Sequence, residues 1–478
     1  MINPFNFFRD KTAAAHRQSA ASRSGSSLFH AIRAHFAASD PAPKSSDWWR
    51  ADNLTADADA NPETRRILRM RSRYEVQNNP YARGMVQTVA NDSIGSGPRL
   101  SFGSNDDNLN TLVERDFTAW SEMIRLATKL RTIRITRAAD GEAFVLLANN
   151  PALHGPVKLD LQLIDADRVT GDDLSALSKG TGDVDAGEPL GQSITVDGIT
   201  FDRFGNPKSY RVLRCHPESV VGDRGAFYEI VPAKNMMHIY RQDRPEQHRG
   251  VPELVAALPL FAQLRRYTGA VVESAAQAAC YGGILYTDKP ENDQAAKIEP
   301  MDAVELDMNR LTTMPEGWKM DELYVKAPIA TYTDFKKEIL SELGSAFGVP
   351  YAIVAGTSAG YTYASAKLDH QTYFRSIWTE RAFVEDQILN RLFIRWFREW
   401  CLAHPDVEIS DAMTPWHGHW IWPHTDDLDM EGAAKVQTIS LKNNTTTLAN
   451  EYARQGKNWK TELEQIKKER EYMKELGL

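Results

Sequence analysis

The sequence predicts an α+β protein that is mainly helical. Three observations carry that expectation. Helix starts and apolar periods of 3.6 residues recur from residue 61 to the C-terminus. Alternating or continuous apolar runs, bounded by Gly, Pro and Asn, cluster between residues 141 and 239. Two helical stretches, 260–281 and 334–347, flank a polar insert with strand-like ends.

Taken in order, residues 1–50 are rich in Ala, Ser and Arg and read as a mobile arm. Asn61-Pro62-Glu63 starts a helix, and Asn79-Pro80 starts a second that stops at Gly95-Ser-Gly97-Pro98. These glycines follow a helix, whereas a phosphate cradle needs them between a strand and a helix. Residues 112–130 form another helix. Strands are expected over 141–147, 157–164, 194–201, 208–213 and 226–239, with a polar loop over 170–192. Pro259 separates a short helix from a rod over 260–281, roughly 33 Å long at about 1.5 Å per residue. Its second half is rich in Gly, Ala and Ser, which let another helix approach closely. In the insert, 283–286 and 322–325 read as short strands. After the 334–347 helix, Gly348-Val-Pro350 opens a loop over 351–362, and a long helix runs over 363–400. Its apolar face includes Ile377, Val384, Ile388, Leu392, Trp396 and Trp400. The C-terminal segment from 432 is mostly helix, turning at 455–457, with a highly charged end suited to a solvated or inter-subunit cap.

Composition narrows the function. The 478 residues carry 56 basic and 64 acidic side chains, a formal charge of −8. A protein that grips nucleic acid through its phosphates is normally basic; an acidic one would contain DNA rather than hold it. Cys215, Cys280 and Cys401 lie far apart with no CxxC spacing, which argues for a reducing compartment and against a disulfide framework or zinc site. No apolar run reaches 18 residues, so no membrane span is expected, and the N-terminal stretch lacks the features of a secretory signal.

Two constellations invite chemistry. Gly356-Thr-Ser358-Ala-Gly360 matches GxSxG, and a serine hydrolase using Ser358 is the enzymatic alternative. That elbow needs an entering strand, and here a helix and Gly-Val-Pro precede it; His370 follows too closely for the usual triad order. His417, His419 and His424 near Asp426, Asp427 and Asp429 could hold a metal, but the interleaved Trp416, Trp420 and Trp422 fit a packed strand. Neither a cofactor nor a metal is expected.

Several segments in the same order resemble the lambda-type portal proteins of tailed bacteriophages. They are Asn78-Asn-Pro-Tyr-Ala-Arg-Gly84 with Ile94-Gly-Ser-Gly97, Gln162-Leu-Ile-Asp-Ala-Asp-Arg168, Arg244-Pro-Glu-Gln-His-Arg-Gly-Val-Pro252, and Gly348-Val-Pro-Tyr351 with Tyr363-Ala-Ser-Ala-Lys367. The chain departs from the family with Ala364-Ser-Ala-Lys367 for Ser-Ser-Ala-Arg, and with Asp426-Asp-Leu-Asp429 for Asp-Pro-x-Lys. The resemblance covers roughly 60–478.

It implies a portal fold and a structural, non-enzymatic role. The wing would span 51–250, a stem helix 251–281, the clip 282–331, a second stem helix 332–350, the tunnel loop 351–362, the wing's long helix 363–430 and the crown 431–478. Twelve subunits would form a ring at one capsid vertex, through which double-stranded DNA passes without sequence specificity during packaging and ejection. The terminase large subunit, the head–tail connector and the major capsid or scaffolding protein would be partners. The location would be the virion, with host cytoplasm during assembly. The residues expected to face DNA are Val354, Gly356, Thr357, Ser358, Gly360, Tyr361, Thr362 and Lys367. Twelve copies at −8 would carry about −96 formal charges, which repel a duplex bearing one negative charge per about 1.7 Å. An adaptor that forms rings without conducting DNA is the remaining alternative.

Overall fold

The computed structural model describes residues 53–104, 106–171, 193–218, 228–279, 283–287, 318–322, 329–405, 407, 418–423, 430–455, 457 and 459–477. The chain divides into two units, Met1–Leu54 and Thr55–Leu478, and every described helix and strand belongs to the second. The arm expected over 1–50, most of the 170–192 loop, His417, His424 and the 426–429 acidic run lie outside the described residues.

A short helix α1 (Ala56–Asp59) precedes α2 (Pro62–Asn78) and α3 (Pro80–Ile94). The expected starts hold: Asn61 accepts from the Thr64 amide at 2.9 Å and Asn79 from the Tyr81 amide at 3.0 Å. Then come β1 (Arg99–Phe102), α4 (Asp107–Met123) and α5 (Leu126–Asp140). The helix read over 112–130 is therefore two. Arg125 sits at φ 55°, and the break buries Ile124 and Leu126 on either side of it.

The strands continue with β2 (Glu142–Asn149), β3 (Leu159–Ile164), β4 (Ser193–Val196), β5 (Ile199–Asp202), β6 (Pro207–Leu213), β7 (Tyr228–Pro232) and β8 (Met236–Tyr240). They form two antiparallel sheets, ordered β3-β2-β8 and β4-β5-β6-β7. The single strand expected over 194–201 is a hairpin. Asp197 and Gly198 have φ of 41° and 80°, both positive as a two-residue Asp-Gly turn requires. The single strand expected over 226–239 breaks after Pro232, where a 3₁₀ turn lets β8 leave one sheet for the other.

Helix α6 (Leu258–Ala279) leads to the hairpin of β9 (Gly283–Thr287) and β10 (Trp318–Glu322), and α7 (Ile329–Phe347) returns. The second strand of the insert thus lies before its expected position at 322–325. Helices α6 and α7 pack through Tyr267 against Phe335, ring centroids 4.3 Å apart, and through Leu264 in a cluster with Ile339, Leu340 and Leu343. Beyond Tyr267 the small residues Gly269, Ala270, Ala275 and Ala276 are exposed, as is Val272.

The short α8 (Tyr351–Ala355) precedes α9 (Tyr363–Val384), which runs through a π-helical segment (Glu385–Leu389) into α10 (Asn390–Ala403). The long helix is as expected, apart from that segment, where the Asn390 amide donates to the Glu385 carbonyl. Strand β11 (Gly418–Ile421) pairs antiparallel with β1. The chain ends in α11 (Met430–Lys442), α12 (Leu448–Arg454) and α13 (Trp459–Glu475).

The main core joins distant parts of the sequence. Phe117, Trp120 and Val145 pack with Ile388, Phe393, Trp396 and Trp400. Phe117 meets Trp396 edge-on at 5.1 Å. Region 94–161 therefore needs α10 to complete its core, although α6, the insert and α7 intervene in sequence.

Candidate functional site

The expected site begins where α7 ends. Gly348 has φ +74°, and the Val349 amide donates to the Gly344 carbonyl at 2.9 Å, closing the helix. A Cβ on Gly344 would meet the Val349 carbonyl oxygen at 2.5 Å, so only glycine fits this crossing. Pro350 then precedes α8.

The loop expected over 351–362 is thus helical in its first five residues. Apolar Tyr351, Ile353 and Val354 explain this, because they pack onto the cluster formed by α3, α6 and α7. Val354 is buried at 4% exposure and belongs to that core rather than to a DNA-facing surface. The irregular segment is 356–362.

Gly356 ends α8 at φ 64°. Residues Gly356, Thr357, Ser358 and Gly360 are exposed. Thr357 Oγ1 accepts from the Ala359 amide at 3.2 Å, and the Tyr361 amide donates to the Ser358 carbonyl at 3.1 Å. That turn places Gly360, φ 84°, where a positive φ is required. Thr362 is the N-cap of α9 in a reciprocal capping box with Ser365, with 3.3 Å and 3.0 Å hydrogen bonds. Its hydroxyl is committed to the helix. Burial raises the Tyr361 phenol's pKa, and the Asp369 carboxylate adds to the shift. Lys367 Nζ stands 5.8 Å from the Tyr363 ring centre on the exposed first turn of α9. The structure therefore brings Gly356, Thr357, Ser358 and Gly360 into one exposed turn, with Lys367 on the following helix. Residues 351–362 contain no charged side chain.

Ser358 is no nucleophile elbow. A helix enters the turn, and the His370 ring packs on Phe374 at 4.3 Å. His419 lies exposed on β11, while Trp420 donates to Asn390 Oδ1 at 2.9 Å, as a packed strand requires. Among the described residues, one group has metal-ligand spacing, Asp165, Asp167 and His216. Arg73 bonds both of those carboxylates, at 3.0 Å and 2.7 Å, and supplies the neutralising charge itself.

Two ionic clamps outside the turn were not anticipated. In the first, Arg381 on α9 donates to the carbonyls of Ser93 and Asp92 at 3.1 Å and 2.9 Å, satisfying the C-terminal end of α3. The Tyr373 hydroxyl donates to Asp92 at 2.8 Å; burial, then the Asp92 charge, raises its pKa. Beside Arg381, Glu380 accepts from Arg137 at 2.5 Å, and Arg137 and Arg134 also grip Glu253 at 3.0 Å and 2.9 Å. The second clamp centres on Glu142. Arg249, wholly buried, holds its carboxylate from Nη2 at 2.7 Å and Nε at 2.9 Å. Arg69, His238 Nε2 and the Gly250 amide bind the same carboxylate at 3.2, 2.9 and 3.1 Å. Arg249 also reaches Asp197 at 2.7 Å, which pairs with Arg65. Burial would raise the Glu142 pKa, but Arg249 and His238 outweigh it and hold the group well below the carboxylate range. Burial lowers His238, overriding its Glu142 partner. The mutual approach of Gly141 and Gly250 seats this hub: a Cβ on Gly250 would lie 2.2 Å from the Gly141 oxygen.

Signals for both clamps were present. Glu142 heads a strand whose next six residues are apolar, and Arg381 falls on the buried stripe between Ile377 and Val384.

Several solved structures are similar to the chain. A chain from the neck of an empty GTA particle, computed with C6 symmetry, is 13% identical, with 83% of this chain and 94% of that chain covered and a TM-score of 0.48. A chain from the neck of a native GTA particle, computed with C12 symmetry, is 12% identical over the same shares, with a TM-score of 0.46. A chain from the virion of a native gene transfer agent is 14% identical over 82% and 93%, with a TM-score of 0.43. No curated protein matches by sequence. The model of the phage portal proteins of the lambda family matches residues 43–381, which carry the Asn-Pro helix start, the Arg249 hub and the 356–362 turn. The chain belongs to that family.

Proposed function

We propose that the protein is a subunit of a twelve-membered portal ring at one capsid vertex, and that the turn at 356–360 faces the DNA passing through it. The observation that carries this reading is the contrast at that turn. It is exposed, uncharged and hydroxyl-bearing, yet it begins a helix bound at Tyr373, Glu380 and Arg381. A neutral turn offers DNA phosphates weak contacts from Thr357 and Ser358 without a trap of fixed cations. Lys367 is the first charge after it. The acidic chain supplies background repulsion, so the duplex slides.

In this reading α6 and α7 are the stem, the β9–β10 insert is the clip that meets the terminase large subunit and later the head–tail connector, and α11 to α13 form the crown. The wing meets the major capsid or scaffolding protein. The exposed Gly and Ala positions of α6 beyond Tyr267 suit close packing on a neighbouring stem. The ring works in the virion, after assembly in host cytoplasm, and performs no catalysis.

The test has two arms. Native mass spectrometry of purified protein should show a closed ring; monomers over a wide concentration range would overturn the proposal. Bulky or acidic replacements at Thr357 and Ser358 should impair packaging or DNA retention while rings still form. Unchanged packaging would leave a ring adaptor that does not conduct DNA.

A further inference from the structure

The outward face of α10 is a row of arginines on a rigid base. The buried face of the helix, Leu392, Phe393, Trp396, Phe397 and Trp400, is fixed in the main core. On the other side Arg391, Arg395, Arg398 and Leu402 follow at spacings of four, three and four residues. They share one exposed stripe, roughly 17 Å long at about 1.5 Å per residue. Leu402, at 84% exposure, is the most exposed large apolar side chain among the described residues.

The row works against its own helix. Like charges three and four residues apart repel. One carboxylate relieves them, Glu399, which meets Arg395 at 3.5 Å. Among the described residues Arg391 and Arg398 form no ion pair; Arg391 donates to the Met236 carbonyl at 3.2 Å. In a chain of formal charge −8, cations left without acids are complemented by acids from elsewhere. All three are arginines, whose planar fork grips a carboxylate at two points where lysine offers only a point charge.

The anions could be carboxylates or DNA phosphates, and the row favours carboxylates. Glu399 lies within it and Leu402 closes it. A polypeptide can set a neutral residue against Glu399 and an apolar one against Leu402. DNA carries uniform charge, so it is repelled at the first and gains nothing at the second. A second helix also repeats the three-and-four spacing along one face. Because the core already holds α10, binding need order little more than the arginine side chains.

We infer that the outward face of α10 docks an acidic helix of another protein, with carboxylates at matching spacings and an apolar side chain against Leu402. Nothing in this pairing requires a closed ring, so the two are tested separately.

The test measures fluorescence anisotropy of a labelled helical peptide of about 20 residues, carrying glutamates at these spacings and one leucine, against the full-length chain. Arg391→Glu/Arg395→Glu/Arg398→Glu should weaken binding at least about tenfold. Leu402→Ala should weaken it by a smaller factor. Arg66→Glu/Arg71→Glu/Arg83→Glu alters three other exposed arginines and changes the net charge equally. It should leave the affinity within about twofold, because distant surface charges are screened. A peptide with lysines in place of glutamates should bind the row variant better than the parent chain, a gain that loss of structure does not produce. Equal losses from both triple variants would reduce the effect to net charge. Tighter binding of a DNA duplex of about 20 base pairs, lost with the row, would assign the face to nucleic acid. A row variant that changes the mass of the assembled protein would assign it to a second copy. Each of these three results overturns the inference.

Discussion

Glu142 and Ser358 mark two regions that treat polarity in opposite ways. Around Glu142, five nitrogen donors from Arg69, Arg249, His238 and Gly250 converge on a carboxylate with no exposed surface. Around Ser358, exposed hydroxyls and glycines lie in a segment with no charge at all. Charge here serves as an internal fastener and is withheld from the surface proposed to meet DNA. The difference matters because a buried ion pair costs several kcal/mol per ion to desolvate and repays this only when every partner is in place. Such a cluster cannot tolerate motion. A neutral exposed turn loses little when it moves.

The sharpest way to break the fastener is to remove Arg249. Arg249→Met should cost about 3–5 kcal/mol, because Glu142 and Asp197 would remain buried with their main cation gone. Arg249→Lys should recover little, since an ammonium cannot reproduce the two-point grip on Glu142. Denaturant unfolding of the two variants measures both. A loss below about 1 kcal/mol would show that the hub relaxes around the missing cation and is no rigid fastener.

Arg381→Ala comes next. It removes two charge-assisted bonds to the end of α3 and should cost about 2–3 kcal/mol. Removing Glu380 tests whether the neighbouring position on α9 acts independently; the two losses should fail to add, because both anchor one helix.

Mild acid probes the Glu142 hub less severely. The His238 pKa lies below its ordinary 6.5, held there by burial and by Arg249 and Arg65 against the pull of Glu142. The unfolded chain therefore takes up a proton at a pH where the folded chain does not. That stability is complete above about pH 6.5 and declines as pH falls below it. Glu142, also depressed, acts in the same direction at lower pH. Asp140, which burial raises despite Arg73, opposes both near the carboxylate range. Midpoints of chemical unfolding at about pH 7.5 and about pH 5.5 should differ, and His238→Gln should shrink the difference.

The reach of each sequence signal set how much of this was legible. The Asn-Pro helix starts and the apolar stripe of α9 and α10 are local, and the sequence carries them directly. The Asp197-Gly198 turn was equally local, but the apolar residues on both sides masked it as one strand. Val354 looked like loop because Gly348-Val-Pro350 ends a helix so clearly; its burial depends on α3, α6 and α7, which no local pattern reports. The hub was the least accessible. Arg65 meets Asp197 from 132 residues away and Arg69 meets Glu142 from 73 residues away, pairings that no local pattern reports.

The smallest expected effect is the one that sharpens the comparison most. Thr357→Asp and Ser358→Asp each add a charge to an exposed segment. Thr357 gives up one 3.2 Å contact with the Ala359 amide, which the new carboxylate can also accept. Ser358 contributes its carbonyl to the turn and keeps it. Stability should therefore move by no more than about 0.5 kcal/mol. Packaging should suffer all the same, because a ring of such variants would set as many new negative charges against the duplex as it has copies. Gly360→Val separates conformation from charge: its φ of 84° is strained for a β-branched residue, so it should stiffen or distort the turn without adding charge. If the two Asp variants impair packaging and Gly360→Val does not, the turn works through its neutrality. If Gly360→Val impairs packaging equally, with Arg381 and Glu380 intact, mobility on a fixed base is the property that the buried ions serve.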